Sequence, residues 1–263
     1  MKRDHAKENP APRRFSRREV FGLVVAAAAV PFVKWTPGNA ASGEPIGAST
    51  QTLMRTAKAT APSCVVRPQQ TEGPYFVDEK LNRSDIRSDP LDGSVKQGVP
   101  LRLVLHVYRI EGSSCTPLSG AFVDIWQCDA MGAYSDVLDW IGSFENTRGK
   151  KFLRGYQVTD ASGKAEFMTI YPGWYPGRTV HIHFKIRTDH TTELGHEFTS
   201  QLYFDESITD QVHAQSPYST RGRRTTTNAT DGIFRRGGSQ LMLELVKDAQ
   251  SYVGTFDIGL QMT

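Results

Sequence analysis

Apolar and polar residues alternate along this chain after residue 98. Every second position of one segment is apolar: Leu101, Leu103, Leu105 and Val107. Because successive side chains of a strand point to opposite faces, these residues would share one face. Further short apolar-rich runs, separated by Gly, Pro, Asn or Asp, lie at 121–127, 164–170, 179–187, 198–205, 241–246 and 251–260. The pattern predicts an all-β sandwich or barrel.

Little helix is expected in this fold. Only residues 211–214 and 238–245 have a pattern that favours a helix. Residues 42–70 are rich in Ser, Thr, Ala and Pro, which predicts an irregular lead-in. Residues 71–263 are long enough to bury one large core, so we expect a single domain there.

The N-terminal segment has the composition of an export signal. Residues 1–20 contain seven Lys or Arg residues, and residues 22–33 (GLVVAAAAVPFV) are apolar. With the small residues at 39–41, this pattern predicts a signal peptide over residues 1–41. The apolar run is shorter than the roughly 20 residues that span a bilayer, so no stable membrane anchor is expected. The alternative is a basic tail followed by an anchor.

The sequence SRREVF at 16–21 resembles a twin-arginine signal. This resemblance implies that the twin-arginine translocase exports the protein to the periplasm or out of the cell. That route carries folded proteins, often with a metal or cofactor already inserted. The sequence motif therefore raises the expectation of a cofactor without indicating which one.

Charge and cysteine content narrow the partners and the compartment. The formal net charge of +3 owes much to the basic start, so no nucleic-acid-binding surface is expected. The chain contains Cys64, Cys115 and Cys128. In an oxidising compartment, one disulfide and one free thiol is the simplest arrangement. Cys64 and Cys115 lie in loop-like sequence and are expected to pair, which leaves Cys128 as a small buried residue.

Two histidines share one face of the run at 179–187. Apolar residues alternate with them: Val180, Ile182, Phe184 and Ile186. If this apolar set faces the core, His181 and His183 lie on the opposite face, where their rings can converge on one ion. Imidazole suits iron, copper and zinc alike, and most such pairs are ordinary histidines. The pair alone leaves the presence and identity of a metal open.

Two aromatic loops accompany these histidines. The sequence YPGWYPGR at 171–178 alternates stiff Pro with permissive Gly, carries three aromatic residues and ends on Arg178. The run at 121–127 continues into CDAMGAYSD at 128–136, which places Tyr134 on a turn. Taken alone, the loop at 171–178 is as consistent with an aromatic-capped turn as with a functional site, and Tyr134 is typical of an ordinary loop or core tyrosine.

Several stretches together resemble a known family. In matching order, TEGPYF at 71–76, the stretch 120–135 and PGWYPGRTVHIHF at 172–184 closely resemble the intradiol ring-cleavage dioxygenases. This family includes catechol 1,2-dioxygenase and protocatechuate 3,4-dioxygenase. NATDGI at 228–233 and YVGTFDIG at 252–259 resemble exported bacterial members. The resemblance implies an antiparallel β-sandwich with long active-site loops.

The same resemblance implies a metal centre and a reaction. Tyr134 and Tyr175 would be tyrosinate ligands, and His181 and His183 would complete a four-residue Fe(III) site, with one ion per chain. A free phenol has a pKa of about 10, and a bound trivalent cation can displace its proton. The implied reaction is intradiol cleavage of a catechol by O2 to a cis,cis-muconate-type diacid.

Further residues receive roles from the resemblance. Tyr175 would be the ligand that leaves and accepts a substrate proton. Arg178 would stabilise negative charge on the substrate, and Gln201 would lie close to the substrate. Tyr75 and Trp126 are candidates for pocket lining or packing. The identity of the catechol stays open, and a homo-oligomer is compatible with the sequence.

Two other classes of protein are compatible with parts of the sequence. An exported copper or zinc enzyme would use the same histidine pair, and metal content and colour would distinguish it. A non-catalytic β-sandwich binding module would account for LSGAFVDIWQ at 118–127 and TDASGKAEF at 159–167, which resemble small domains of adhesins and carboxypeptidases. The presence of all four ligand residues argues against the binding module.

Overall fold

The computed structural model describes residues 64–138, 146–189 and 195–262, which form nine strands and one α-helix. In chain order they are β1 (Pro100–Glu111), β2 (Ser114–Pro117), β3 (Phe122–Trp126), β4 (Arg154–Val158), β5 (Lys164–Ile170), β6 (His181–Arg187), β7 (Glu197–Tyr203), α1 (Glu206–His213), β8 (Glu244–Asp248) and β9 (Ser251–Gln261). The predicted signal peptide and the lead-in up to residue 63 lie outside the described residues. In the described part, no helix is long and apolar enough to cross a membrane.

The strands form two sheets. One has the order β2-β1-β9-β8, with β5 also paired to β1, and the other has the order β4-β3-β6-β7. The prediction of a β-sandwich is confirmed. One pair departs from the antiparallel expectation, because β1 and β9 run parallel. These strands come from opposite ends of the domain, so no hairpin turn forces them to run antiparallel.

The main core lies between the two sheets. From β1 it receives the predicted apolar face, including Leu101, Leu103 and Leu105. From β6 it receives the residues that alternate with the histidines, including Ile182 and Phe184. Burying an aliphatic or aromatic side chain of this size contributes about 1.5–3 kcal/mol relative to leaving it exposed. The core therefore fixes which face of β6 the histidines occupy.

A second, smaller cluster covers the opposite face of the β4-β3-β6-β7 sheet. Its buried members are Tyr75, Trp126, Cys128, Tyr134 and Tyr175. Trp126 on β3 pairs in register with His183 on β6, so the two side chains share this face. The aromatic loops predicted from sequence therefore fold onto the face that carries the histidines.

The cysteines behave as predicted. Cys64 and Cys115 form a disulfide that ties the start of the described chain to β2. Cys128 is buried in the aromatic cluster and is not part of the disulfide.

Several element boundaries differ from the sequence prediction. The strands β2 and β4 were not predicted, because both are short and neither has a clear apolar alternation. The run at 198–205 ends at Tyr203, since the Asp205 side chain accepts hydrogen bonds from two backbone N–H groups and caps α1. The helix expected at 211–214 therefore begins earlier. The helix expected at 238–245 is a 3-10 turn at Gly238–Gln240 followed by β8.

Candidate metal centre

His181 and His183 lie side by side on β6, and their Nε2 atoms are 3.0 Å apart. Both side chains are buried. The Nδ1 of His181 donates to the carbonyl oxygen of Thr179 at 2.6 Å, which leaves Nε2 with a free lone pair. The ring of His183 stacks on Trp126, with centroids 4.9 Å apart. The two rings converge on one point, as the alternation along this strand predicted.

Tyr134 and Tyr175 reach the same point from two different loops. The hydroxyl oxygens of Tyr134 and Tyr175 lie 3.5 Å and 3.2 Å from the Nε2 of His181. Tyr134 follows β3 on a turn in which the carboxylate of Asp129 accepts two backbone N–H groups. The structure therefore brings together all four residues for which the sequence suggested a ligand role.

Two glycines allow the tyrosine loops to pack against each other. The N–H of Gly173 donates to the carbonyl oxygen of Asp129 at 3.1 Å, and a Cβ at Gly173 would lie 2.5 Å from that oxygen. Gly132 has a φ of +83°, and a Cβ there would collide with the carbonyl oxygen of Trp174. Only a residue without a side chain permits both approaches. These backbone contacts hold the two tyrosine loops against each other without the help of a metal.

The donor atoms are spaced like ligands of one ion. Ligands about 2.0–2.1 Å from a metal at tetrahedral angles lie about 3.3–3.4 Å from one another. The three measured separations are 3.0, 3.2 and 3.5 Å. Across residues 64–138, 146–189 and 195–262, no group of three or more His, Cys, Asp or Glu side chains is arranged to hold a metal. The described side chains whose donor atoms meet at this point are the two histidines and the two tyrosines.

Burial controls the protonation of the four candidate ligands. Burial, followed by the charge of Arg178, lowers the pKa of His181 well below its usual value. Burial and then the neighbouring His181 do the same to the pKa of His183. Both imidazoles are therefore neutral near pH 7, which is the form that binds metals. Burial raises the pKa of Tyr134 and Tyr175, so these phenols keep their protons until a cation displaces them.

Arg178 lies at the edge of the centre and is held on two sides. Its Nε donates to the Asp231 carboxylate at 2.9 Å, and its Nη2 donates to the Gln201 side-chain oxygen. Its Nη1 lies 3.4 Å from the Nε2 of His181, so one edge of the guanidinium faces the centre. Gln201 is fully buried on β7, opposite His183 in register. The structure thus places Arg178 and Gln201 beside the candidate ligands.

The segment TEGPYF at 71–76 covers the centre. The ring of Tyr75 stacks on Tyr134, with centroids 4.3 Å apart. A Cβ at Gly73 would lie 3.4 Å from the Cε1 of His183, so the backbone passes closely over this histidine. The segment therefore helps to keep water away from the imidazoles, which strengthens electrostatic interactions there.

Comparison with known proteins decides the family. A family model described as "Dioxygenase" matches residues 71–228, which is more than half of the chain. The structure of an intradiol ring-cleavage dioxygenase from Tetranychus urticae is 32% identical and has a TM-score of 0.64, covering 75% of this chain and 95% of that chain. The chain belongs to the intradiol ring-cleavage dioxygenase family.

Other relatives support the same assignment. The dioxygenase domain of a carbohydrate-binding fusion protein from Streptomyces sp. SirexAA-E is 31% identical, with a TM-score of 0.54, covering 76% of this chain and 100% of that chain. Protocatechuate 3,4-dioxygenase beta chain of Burkholderia cepacia is 33% identical over 140 residues, 50% of this chain and 56% of that protein. Catechol 1,2-dioxygenase 1 of Acinetobacter lwoffii is 27% identical over 154 residues, 50% of this chain and 45% of that protein. The matches span about half the length of these two relatives.

Arg154 is a buried residue that the sequence did not single out. Its guanidinium donates to the Ser135 hydroxyl at 2.7 Å and to the Tyr75 carbonyl oxygen at 3.2 Å. Burial lowers the pKa of Arg154 to about 10, which leaves it charged at neutral pH. Arg154 thereby links Ser135, the residue after Tyr134, to Tyr75, whose ring stacks on Tyr134. It begins β4, a strand without a clear sequence pattern, so no signal pointed to it.

Two further contacts also went beyond the sequence prediction for this dioxygenase. Trp126, a candidate for pocket lining or packing, stacks directly on a candidate ligand, His183. Asp231 binds Arg178 from a position 53 residues away in the chain. The NATDGI motif at 228–233 resembles exported bacterial family members, but nothing in its sequence indicates which side chain Asp231 contacts.

The metal-free dioxygenase is expected to lose stability as the pH falls from 7 to 5. Burial lowers the folded-state pKa of His181 and His183, so the unfolded chain, with values near 6.5, binds protons that the folded chain does not. The two neutral histidines make their full contribution to the free energy of unfolding above about pH 6.5. As the pH falls from there toward their folded-state pKa values, each histidine lowers the free energy of unfolding by about 1.4 kcal/mol per pH unit. Urea unfolding at several pH values would measure the slope. An equal slope in the His181→Ala/His183→Ala protein would contradict this assignment.

Proposed function

We propose that this protein is an Fe(III)-dependent enzyme that uses O2 to cleave a catechol ring between its two hydroxyl-bearing carbons. The product would be a cis,cis-muconate-type diacid that retains both oxygen atoms of O2. The observation that carries the proposal is the convergence of two buried phenols and two neutral imidazoles, spaced 3.0–3.5 Å, at one point. Two hard phenolate ligands suit Fe(III), whereas a centre of two histidines and one carboxylate favours Fe(II). Family membership supports the same class of reaction and argues against a non-catalytic module.

The iron would activate the substrate, and the side chains of the protein would accept its proton and stabilise its charge. Tyr134, Tyr175, His181 and His183 would hold the Fe(III), which would supply Lewis-acid activation of the bound catechol toward O2. Tyr175 is the residue we assign as proton acceptor. Burial raises the pKa of the free Tyr175 phenol, so once this oxygen is no longer bound to the cation it would accept a proton from a catechol hydroxyl. Tyr134 stacks on Tyr75 and is 1% exposed, against 5% for Tyr175.

Arg178 supplies a fixed positive charge beside the reacting ring. Its guanidinium is already oriented by Asp231 and Gln201, so it needs no rearrangement when negative charge develops on the substrate. A preorganised cation in a site that excludes water stabilises such charge far more than a solvated one does. This role requires the guanidinium to present one edge to the centre, and the Nη1 atom meets that requirement.

A cleft lies beside Tyr75, whose ring stacks on the candidate ligand Tyr134. It has a volume of about 440 Å³, within the usual range for small-molecule sites, and it opens beside Tyr75. The other described lining residues are Pro74, Val77, Asp136, Val137, Leu138 and Arg148. Apolar walls with a few polar groups suit an aromatic diol. We propose that the catechol approaches along this cleft.

We also propose that the enzyme acts outside the cytoplasm after twin-arginine export. The basic and apolar pattern of residues 1–41 supports this location. The disulfide between Cys64 and Cys115 supports it independently, because such bonds persist mainly in oxidising compartments. Fractionation of cells that carry the full chain or a chain with Arg17→Lys/Arg18→Lys tests the proposal. Equal amounts of both proteins outside the cytoplasm would contradict twin-arginine export.

Substituting the tyrosines tests the proposed ligand set. Iron-loaded protein is expected to show a visible absorption band from tyrosinate-to-iron charge transfer. Tyr134→Phe and Tyr175→Phe should each weaken or shift this band, and the double variant should lose it. Tyr171→Phe is the matched control, because Tyr171 is equally buried but its hydroxyl bonds to Thr209 in the main core. An unchanged band in the Tyr134→Phe/Tyr175→Phe protein would exclude these tyrosines as ligands.

A further inference from the structure

Asp231 carries a fully buried carboxylate with a complete set of hydrogen bonds. One oxygen accepts from the Nε of Arg178 at 2.9 Å and from the backbone N–H of Thr179 at 2.8 Å. The other accepts from the backbone N–H groups of Ile233 and Phe234 at 2.6 and 3.0 Å. Burial alone would raise the pKa of Asp231, but the Phe234 N–H and the charge of Arg178 outweigh it, and the pKa is lowered. Asp231 is therefore an anion held rigidly by its own loop.

This anion restricts the orientation of Arg178. A guanidinium is planar and its N–H groups have fixed directions, so holding two of its edges fixes the third. Asp231 holds the Nε edge, and Gln201 holds Nη2. The remaining nitrogen, Nη1, then points to the centre and lies 3.4 Å from the Nε2 of His181. Without the carboxylate, of these two contacts only the one with Gln201 would remain, and one hydrogen bond does not fix the direction of Nη1.

The same carboxylate also holds the backbone that orients a candidate ligand. The N–H of Thr179 donates to Asp231, and the carbonyl oxygen of Thr179 accepts the hydrogen bond from the Nδ1 of His181. One buried anion thus contacts both the cation and the peptide next to the metal centre. The neighbouring residue Asn228 differs in this respect, because it bonds to the Thr179 side chain and to the Phe204 carbonyl oxygen but not to Arg178.

We propose that Asp231 is a positioning residue of this enzyme, which holds the Arg178 guanidinium so that its Nη1 edge faces the substrate. The proposal rests on the proposed function for the role of Arg178 in the reaction. It assigns Asp231 no contact with substrate or iron. Asp231 acts chiefly through Arg178, so the loss of activity on its removal should be far larger while Arg178 is present. The contact with the Thr179 N–H accounts for any smaller effect that remains without Arg178.

A double-mutant cycle tests this coupling in the iron-loaded protein. Asp231→Asn places an amide where two N–H donors now converge, and it should lower kcat/KM for a catechol about 100-fold, which is a typical loss for a misplaced catalytic group. Iron content should be retained. In the Arg178→Gln background the same substitution should change kcat/KM less than about threefold. Asn228→Ala, in the same loop, should stay near the wild-type value. An equal loss from Asp231→Asn in both backgrounds would overturn the proposal.

A second measurement is independent of iron and of the reaction. In metal-free protein labelled with ¹⁵N, the Arg178 Nε–H is expected to give a protected NMR signal, assigned by its absence from Arg178→Gln. This signal should disappear in Asp231→Asn and remain in the control Asn228→Ala. If Asp231→Asn still gave the protected signal, the positioning role would be refuted. If Asp231→Asn does not fold, Asp231→Glu, which keeps the charge but displaces it, is measured in the same way. A wild-type protein that cleaves no catechol would refute the proposed function, while the NMR result would still decide the positioning.

Discussion

Replacing His181 with alanine is expected to abolish iron binding and ring cleavage together. His181 lies within 3.5 Å of the other three candidate ligands, through Tyr134, Tyr175 and His183. Loss of an outer partner of a metal ligand typically costs about 10- to 100-fold in metal affinity or activity, and loss of a ligand should exceed this. Metal analysis and O2 uptake with a catechol would measure both effects.

A histidine outside the centre provides the control for this substitution. His106 lies on β1 and its Nδ1 is 3.0 Å from the Asp257 carboxylate. Its side chain is partly exposed, so His106→Ala should retain iron and activity. Full iron content and ring cleavage in the His181→Ala/His183→Ala protein would rule out the proposed centre. Iron binding without ring cleavage in that protein would point to a different metal site.

Replacing Arg178 is expected to separate iron binding from catalysis. Arg178→Gln should retain iron and the visible band but lower kcat/KM about 10²- to 10³-fold, the usual cost of losing one group that stabilises transition-state charge. Arg178→Lys should be nearly as impaired, because one ammonium group cannot reach Asp231, Gln201 and the substrate at once. Steady-state O2 uptake and the absorption spectrum are the measurements.

The control for Arg178 comes from the same region of the chain. Arg187 ends β6 and its guanidinium bonds to Asp124 and Asp78, away from the candidate ligands. Arg187→Gln removes a charge of the same kind, and its kcat/KM should stay near that of the wild type. Wild-type turnover by Arg178→Gln would show that this charge is not needed in the reaction.

The sequence predicted the parts of the site that depend on local order. Alternation along 179–187 was enough to place His181 and His183 on the face away from the core, because the period of a strand fixes this. The family resemblance indicated Tyr134, Tyr175 and Arg178. Local pattern alone would have left these residues as ordinary members of aromatic turns.

The parts that were not predicted depend on contacts between distant segments. Arg154 meets Tyr75 across 79 residues, and Asp231 meets Arg178 across 53 residues. Such contacts leave no periodic signal, because they depend on how loops fold over the sheet. The parallel pairing of β1 with β9 was missed for the same reason, since pairing direction between distant strands is not encoded in their alternation.

The geometry of the site favours an iron enzyme over a copper or zinc enzyme that uses the same histidine pair. Both metals would accept the two imidazoles, but a zinc or copper site usually adds Cys, His or carboxylate ligands. Among the residues that the structure describes, no such group accompanies the histidines, whereas two tyrosine hydroxyls lie at ligand spacing. Because phenolates on Fe(III) absorb visible light strongly and a zinc protein does not, colour separates iron from zinc, and metal analysis separates iron from copper.

The most direct test of the central claim is a product analysis with labelled oxygen. Purified, iron-loaded protein would be incubated with ¹⁸O2 and a panel of catechol, protocatechuate, hydroxyquinol and lignin-derived diols. We expect at least one diol to give a ring-opened diacid that is heavier than the substrate by one molecule of ¹⁸O2. The zinc-loaded protein should give none. Absence of a ring-opened product from every diol, or equal product from the zinc-loaded protein, would contradict an Fe(III)-dependent intradiol cleavage.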